Sequence, residues 1–401
     1  MNLCAFLAPD DIPKEVLSGG AEHLPEPLAT AVADPLAFGD AIAPLRHYSL
    51  VEVVIDRNAL SVHRLVQAVV RDRLGEGKRK RWAEAAVHLV EEAFPYRLNE
   101  MNTWQASTRI MPHALAASGH AEELAVMLEL TGTLLNQVGL YLREFAQYTQ
   151  AKSVLERTVA IGEVAYGPNH PQVAIHVNNL GMVLQDLGDL TGARAHYERA
   201  VAIGEVAYGP NHPQVAIYVN NLGMVLQNLG DLTGARAHYE RALSIAEATY
   251  GSNHPTVAIR VNNLGQVLRG LGDLPRAQAH LKRALSIDEA AYGPNHPNVA
   301  SDVSNLGGVL RQLGDLAGAR AHYERALDID EAAYGLNHPQ VARDVNNLGM
   351  VLQDLGELAG ARSCLNRAFG ILQKFLGEDH PNTKLVRKNL EILDAEIARP
   401  Q

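Results

Sequence analysis

The chain has 401 residues, of which 47% are hydrophobic and 20% are charged, and these proportions exclude wholesale disorder. A formal net charge of -10 disfavours binding to nucleic acid or anionic lipid, and no apolar run approaches the ~18 residues of a membrane-spanning helix. Cys4 and Cys364 are too few and too far apart for a disulfide framework or a zinc site, and the start at Met1 lacks the features of a secretion signal. We therefore expect a cytoplasmic protein.

Residues 1–76 carry no repeat, and their pattern predicts helix, hairpin, helix. Val51, Val53 and Ile55 alternate with polar residues, as in a strand, and Arg57-Asn58 is a plausible turn. The predicted elements are a helix at 36–48, strands at Ser49–Asp56 and Ala59–Val62, and a helix at Arg64–Leu74. This order is typical of a small winged-helix-like α+β segment.

The same segment contains the stretches FLAPDDIP, DPL, LRHYSLV and LSVHRLVQAVVRDRL. These resemble the winged-helix region that follows the nucleotide-binding domain in bacterial NB-ARC-type (STAND) ATPases with tetratricopeptide arms. The resemblance implies that His63 lies at a nucleotide-sensing edge in such proteins; here we favour a structural role. No GxxxxGK[ST] loop occurs, because Gly77-Lys78 is followed by Arg79. We expect no nucleotide hydrolysis and no cofactor, and interpret the chain as a truncated or split relative that starts inside the winged helix.

Residues 77–121 read as a helical connector, and the segment from Trp104 to His120 resembles the connector of the same ATPases. A basic cluster at residues 71–81 spans the start of the connector and is interrupted by Asp72 and Glu76. This cluster leaves a DNA contact open, but it lacks interleaved aromatic residues, and the preceding helix is not basic. A solvated helix face is the preferred interpretation.

A 42-residue repeat dominates the rest of the chain. The dipeptide His-Pro recurs at His170, His212, His254, His296, His338 and His380. A fixed period of this length indicates stacked supersecondary units.

Each period predicts two helices. Val173, Val177, Leu180, Leu184 and Leu187 form one apolar stripe at helical spacing. The following Gly188 ends that helix, and Asp189 caps a second helix that runs to about Tyr208, with Ala193, Tyr197, Ala200 and Ala207 expected inside.

The order Leu180-Gly181, Leu184, Gly188, Ala193, Tyr197, Ala200 resembles the tetratricopeptide repeat. The Asn-Asn-Leu, ERAL and YGxNHP elements are similar to the 42-residue kinesin-light-chain subtype. We predict an all-α, right-handed superhelical tetratricopeptide solenoid after the N-terminal segment. About six helix pairs occupy residues 122–380, the first of them degenerate, and a capping helix occupies 381–401.

In such a stack the first helix of each pair lines a concave groove, which implies protein or peptide binding. Ile175, Asn178, Met182 and Gln185 form the stripe beside the core positions. An asparagine amide can both donate to and accept from a peptide backbone, and the resemblance implies that Asn178 and its equivalents contact peptide. A structural role for them stays open, and it is favoured for the second asparagine of each pair. The predicted groove residues are Asn178, Met182, Gln185, Asn220, Met224, Gln227, Asn262, Gln266, Arg269, Arg311, Asn346, Met350 and Gln353.

The groove is not uniform, because Arg269 and Arg311 replace the glutamine of the other repeats, which predicts a preference for acidic ligands there. The recurring histidines are expected to be turn residues and not metal ligands, because successive repeats lie about 10 Å apart. No nucleophile and base recur at a catalytic spacing, so we expect no enzyme. The favoured function is a protein-interaction scaffold; the alternative is the sensor arm of a signalling ATPase.

Overall fold

The computed structural model describes residues 1–95 and 103–398. Part of the predicted connector, 96–102, and the end of the predicted capping helix, 399–401, lie outside the described residues. The chain divides into two compact units, Met1–Pro210 and Asn211–Gln401. Within the described ranges no helix is both long and apolar enough to cross a membrane.

The first unit opens with short elements, and the predicted order of helix, hairpin and helix is present in it. They are a 3₁₀ turn at Cys4–Phe6, β1 at Ile12–Pro13, α1 at Lys14–Gly19, a 3₁₀ turn at Ala21–His23, α2 at Leu28–Ala33, α3 at Pro35–His47, β2 at Glu52–Val54, a 3₁₀ turn at Ile55–Arg57, β3 at Ala59–Ser61, α4 at Arg64–Arg73 and α5 at Glu76–Ala93.

The small sheet has the order β1-β3-β2, with both pairs antiparallel. The β2–β3 connection contains Asn58, whose φ of 48° is left-handed, a conformation that asparagine tolerates better than most residues. The sequence analysis did not predict β1, a two-residue strand that is too short to show alternation. It pairs Ile12 with Leu60 and thereby brings the N-terminal segment onto the hairpin.

Three of the six cationic side chains in the basic cluster at residues 71–81 have contacts within the first unit. The Arg71 guanidinium donates to the Ala5 carbonyl, Arg79 pairs with Glu123 at 2.8 Å, and Lys80 pairs with Glu76 at 2.8 Å. The His63 imidazole accepts a hydrogen bond from the Leu65 amide at 3.2 Å and so caps α4. These contacts give three of the cationic side chains and the histidine structural roles.

The remaining helices form the connector and the repeats. The first unit contains α6 at Trp104–Leu124, α7 at Leu128–Glu144, α8 at Tyr148–Tyr166, α9 at Pro171–Asp186 and α10 at Leu190–Tyr208. The second contains α11 at Pro213–Asn228, α12 at Leu232–Tyr250, α13 at Pro255–Gly270, α14 at Leu274–Tyr292, α15 at Pro297–Gln312, α16 at Leu316–Tyr334, α17 at Pro339–Asp354, α18 at Leu358–Leu376 and α19 at Pro381–Ile397. Helices α7 to α18 pack in consecutive pairs, which confirms the predicted repeat architecture.

Within each pair a glycine of the first helix meets a large side chain of the second. A Cβ at Gly223 would lie 2.9 Å from Tyr239 Cε1, and one at Gly265 would lie 2.7 Å from Leu281 Cγ. Any larger residue at these positions would push the two helix axes apart. In α10 the predicted inward residues Ala193, Tyr197 and Ala200 are buried, whereas Ala207 is exposed near the helix end.

The recurring His-Pro dipeptide starts the first helix of each repeat. Proline occupies the first helical turn, and the histidine before it is the N-cap. In each case Nδ1 of the imidazole accepts from the backbone amide two residues later, for example Thr256 to His254 at 3.1 Å. His254 also stacks on Tyr250 with ring centroids 4.9 Å apart.

Changing His254 to alanine is expected to destabilise the second unit by about 1 kcal/mol, the usual effect of losing an N-cap. Changing it to asparagine keeps a cap acceptor while removing the stacked ring, so its urea midpoint is expected to stay close to that of the wild type. If the asparagine and alanine variants are equally destabilised, the stack with Tyr250 and not the cap is what His254 contributes.

Candidate functional site

The predicted groove residues lie on the first helix of each pair; Asn178 and Asn220 are buried, and the others are half-buried. Met182 and Gln185 on α9, and Met224 and Gln227 on α11, are half-buried between fully buried core positions. The residue seven positions before Met224, and before the equivalent Gln266, continues the row toward the helix start. It is Ile217, 39% exposed, in one repeat and Ile259, 50% exposed, in the next. The row therefore offers apolar surface at one end and amide groups further along.

The paired asparagines form a ladder between first helices of successive repeats. In the second unit, Nδ2 of Asn263 donates to Oδ1 of Asn220 at 2.9 Å, and Nδ2 of Asn305 donates to Oδ1 of Asn262 at 3.0 Å. The same contact recurs between Asn389 and Asn346 at 3.0 Å, and between Asn347 and the Ser304 hydroxyl at 3.3 Å. In the first unit Asn179 donates to Asn136 at 2.9 Å. This contact gives Asn179, Asn263, Asn305 and Asn347 a structural role.

The ladder engages the side-chain oxygen of the first asparagine in several pairs. Asn178 and Asn220 are each only 5% exposed, and the carbonyl oxygens of Asn220, Asn262 and Asn346 accept from the ladder. Among the described residues no partner is recorded for the Nδ2 groups of these three side chains. They can therefore donate to a guest but have less capacity to accept than the sequence analysis assumed.

The glutamines of the row also have internal contacts. Gln227 Oε1 accepts from the Tyr239 hydroxyl at 3.0 Å, and Gln185 Oε1 accepts from the Tyr197 hydroxyl at 3.4 Å. At the end of the second unit Gln353 donates to Glu396 at 2.6 Å. These contacts leave the Nε2 donor of Gln185 and Gln227, and the Oε1 acceptor of Gln353, to interact with a ligand. Met224 and Met350 lie half-buried on the same helices.

The two arginines of the row differ from each other. Arg311 forms a two-contact ion pair with Asp354, which raises the pKa of its guanidinium. The residue that corresponds to Asp354 one repeat earlier is Gln312, and Arg269 has no recorded ion pair among the described residues. Arg269 is therefore the cation of this row whose charge is not compensated.

Arg269 lies at a cavity of 470 Å³ that Gly308 helps to form. A Cβ at residue 308 would lie 2.2 Å from Arg269 Nη1, so the guanidinium occupies the space that Met182, Met224, Gln266 and Met350 fill with side chains in the other repeats. Arg311, Tyr323 and Asn347 also line the cavity. The sequence analysis singled out Arg269 but missed Gly308, because a glycine in a glycine-rich repeat carries no separate signal.

Several comparisons with known proteins bear on this geometry. Family profiles described as tetratricopeptide repeat match residues 172–226, 216–290, 258–332, 302–344 and 343–401, and a related one matches 131–172. Residues 1–79 match a domain of unknown function (DUF7779). No curated protein matches the chain.

Several solved structures are similar to the chain. BtubC (BKLC) from P. vanneervenii is 24% identical over 60% of this chain and 93% of its own, with a TM-score of 0.45. A putative kinesin light chain from Podosopora anserina with nearly identical TPR-like repeats is 21% identical over 52% of this chain and 98% of its own, with a TM-score of 0.43. PilF from Pseudomonas aeruginosa is 17% identical over 65% of this chain and 99% of its own, with a TM-score of 0.41.

Tetratricopeptide repeat proteins generally act as protein-interaction scaffolds. The helix pairs, the glycine contacts inside them and the profile matches over residues 131–401 agree with one another. The chain therefore belongs to the tetratricopeptide repeat family.

Proposed function

We propose that the second unit binds an extended polypeptide along the first helices of its repeats. The observation that carries the proposal is the row of half-exposed side chains in which Ile217 and Ile259 stand beside asparagines with Nδ2 groups left to donate. Backbone carbonyls of an extended peptide are acceptors that such amides can bind whatever the side chains are. The isoleucines supply apolar contact for alternate side chains.

Substitution of Asn262 by aspartate provides a sharp test, because it keeps the oxygen that Asn305 needs and removes the Nδ2 donor. Peptides would first be selected from a random display library on the full chain, then synthesised and measured by fluorescence anisotropy. We expect Asn262→Asp to weaken binding of uncharged selected peptides by about tenfold, the equivalent of one lost hydrogen bond of about 1.4 kcal/mol. Ala290→Asp, on the exposed face of α14, is the matched control and should leave binding unchanged.

Two results would contradict the proposal. If no peptide is selected on the full chain, or if Ala290→Asp weakens the selected peptides as much as Asn262→Asp does, the row is not the binding surface. Circular dichroism of both variants should match the wild type, since neither change removes a ladder acceptor.

We also propose that the bound peptide carries an acidic side chain near Arg269. An uncompensated guanidinium beside a cavity attracts a carboxylate, whereas Arg311 is already engaged by Asp354. The matched substitution is Arg269→Gln, the residue found at Gln227 and Gln353 in other repeats. It should weaken glutamate-containing peptides about five- to tenfold and leave their glutamine analogues unaffected. Equal effects on both peptides would contradict the acidic preference while leaving peptide binding intact.

The alternative function is the sensor arm of a signalling ATPase whose nucleotide-binding domain is on another polypeptide. The order α3, β2, β3 and α4 ahead of the repeats supports it, as does the resemblance of residues 1–76 to winged-helix regions. Co-expression with candidate phosphate-loop proteins encoded next to this chain tests it. A nucleotide-dependent complex that needs residues 1–76 would favour this alternative.

A further inference from the structure

A cluster of potential metal ligands lies in the first unit, remote in sequence from the repeats that are proposed to bind peptide. It comprises Glu22, His23 and Glu92, whose donor atoms all lie within 4.8 Å of one another. His23 Nε2 is 2.9 Å from Glu92 Oε1 and 3.7 Å from Glu22 Oε1. Ligand atoms around one zinc ion at about 2.0–2.2 Å are about 3–3.5 Å from each other, so small rotations of the two glutamates suffice.

The backbone brings these side chains together through a close approach. Glu22 and His23 lie in the 3₁₀ turn Ala21–His23, and Glu92 lies near the end of α5. A Cβ on Gly20 would lie 2.2 Å from Leu89 Cδ2, so glycine is what allows the turn to lie directly on α5. The position of the turn on the helix is therefore fixed by the fold and not by the three polar side chains.

A second imidazole fixes the orientation of the first. The ring of His88, one helical turn before Glu92, stacks on His23 with centroids 4.4 Å apart and planes 6° apart. Stacking leaves Nε2 of His23 directed at the carboxylates. Metal-binding histidines are usually oriented by a hydrogen bond from the other ring nitrogen, and here the stacked ring of His88 takes that role.

The charge of the cluster also favours a cation. Among the described residues, the only recorded ion-pair partner of Glu22 and of Glu92 is His23, and neither pairs with lysine or arginine. With a neutral imidazole the three groups carry a charge of about −2, which one divalent ion neutralises. The donor set of one nitrogen and two carboxylates suits zinc and other first-row divalent metals, and the imidazole disfavours calcium and magnesium.

We propose that Glu22, His23 and Glu92 bind one divalent transition-metal ion, with zinc as the best match, and that the ion ties the Ala21–His23 turn to α5. His88 acts as the positioning residue for His23. This inference concerns a different unit from the proposed peptide row and does not depend on it. The sequence analysis gave no indication of it, because Glu92 lies 69 residues after His23 in the chain.

Titration of the full chain with zinc chloride by calorimetry, and with cobalt(II) by absorption spectroscopy, tests the site. We expect one tight site per chain that Glu92→Gln weakens by on the order of tenfold or more. Glu22→Gln should weaken zinc binding similarly. Because the Glu22 side chain is 78% exposed, this substitution should leave the fold intact, so that unfolding cannot explain a weaker site. Zinc should raise the melting temperature of the wild type and should raise that of either variant less.

The matched control is Glu123→Gln, which alters a second histidine–carboxylate contact in the same unit, His120 to Glu123 at 3.7 Å, where Arg79 compensates the carboxylate. Zinc affinity should not change in this variant. The proposal is overturned if the wild type binds zinc no more tightly than Glu22→Gln and Glu92→Gln, or if Glu123→Gln weakens binding as much as they do.

Discussion

Replacing Asp302 by asparagine is expected to stabilise the second unit by on the order of 2–4 kcal/mol at neutral pH. Asp302 on α15 is 3% exposed and hydrogen-bonds to Asp288 on α14, so two carboxyl groups share one buried interface between consecutive repeats. Burial, reinforced by the charge of Asp288, raises the pKa of Asp302 to about 8. No cationic side chain lowers it, although Glu289 adds further negative charge.

The sign of the pH dependence follows from this raised pKa. Folded Asp302 keeps a proton that the unfolded chain releases near the ordinary aspartate pKa of about 3.9. The stability of the wild type therefore falls as pH rises from about 4 to about 8, and it levels off above that range. Asparagine has no proton to lose and can still donate to Asp288, so the advantage of the variant should grow across the same interval.

Asp344 provides the matched control, because it pairs with Asp330 at the equivalent interface one repeat later. Burial and the hydrogen bond to Asp344 raise the pKa of Asp330 to about 7. Here Arg343 lies 3.3 Å from Asp344 and the Ser304 hydroxyl donates to the same oxygen at 3.2 Å. An asparagine in place of Asp344 would lose part of this compensation, so Asp344→Asn is expected to gain less than Asp302→Asn, or nothing.

Urea unfolding at about pH 5, 7 and 9, followed by circular dichroism, measures these differences. The midpoint of Asp302→Asn should exceed that of the wild type by a margin that widens with pH. A constant margin from pH 5 to pH 9 would show that the buried pair does not retain its proton, and a lower midpoint throughout would show that the acid pair stabilises the interface.

The sequence was informative wherever a property repeats every 42 residues. The helix pairs, the histidine at each helix start and the glycine opposite a large side chain are all periodic, and periodicity reveals them without knowledge of the fold. The hairpin was predictable as well, because alternation around Val53 and a turn at Asn58 are local signals. The inward placement of Ala207 was wrong, because Ala207 lies in the last turn of α10, where residues 206–208 are exposed.

What the sequence did not show depends on neighbours that are distant in the chain. Asn220 and Asn263 are 43 residues apart, and only the packing of successive repeats reveals that the oxygen of one is used by the other. The same applies to the ion pair of Arg311 with Asp354, which made one of two similar arginines unavailable. The placement of the peptide row remains a proposal, since it depends on how a partner uses the groups that these contacts leave.

Replacing Tyr239 by alanine is expected to destabilise the second unit by about 3–5 kcal/mol, the largest loss that we predict. Tyr239 on α12 is 1% exposed, and its ring fills the space opposite Gly223 on α11. Alanine would leave a cavity between two helices that glycine has already brought close together, so neither helix can move in further to fill it. The urea midpoint, followed by circular dichroism, is the measurement.

Two matched variants separate the contributions of the ring and the hydroxyl. In two other repeats the residue equivalent to Tyr239 is a leucine that also faces a glycine, namely Leu281 and Leu365. Tyr239→Leu should therefore recover more than half of the stability that Tyr239→Ala loses. Tyr239→Phe keeps the ring but removes the hydrogen bond to Gln227, and should lose about 1 kcal/mol. Because Gln227 belongs to the proposed peptide row, the phenylalanine variant should also change peptide affinity while the fold persists. If alanine, leucine and phenylalanine shift the midpoint equally, the hydroxyl contact and not ring packing holds this pair of helices together.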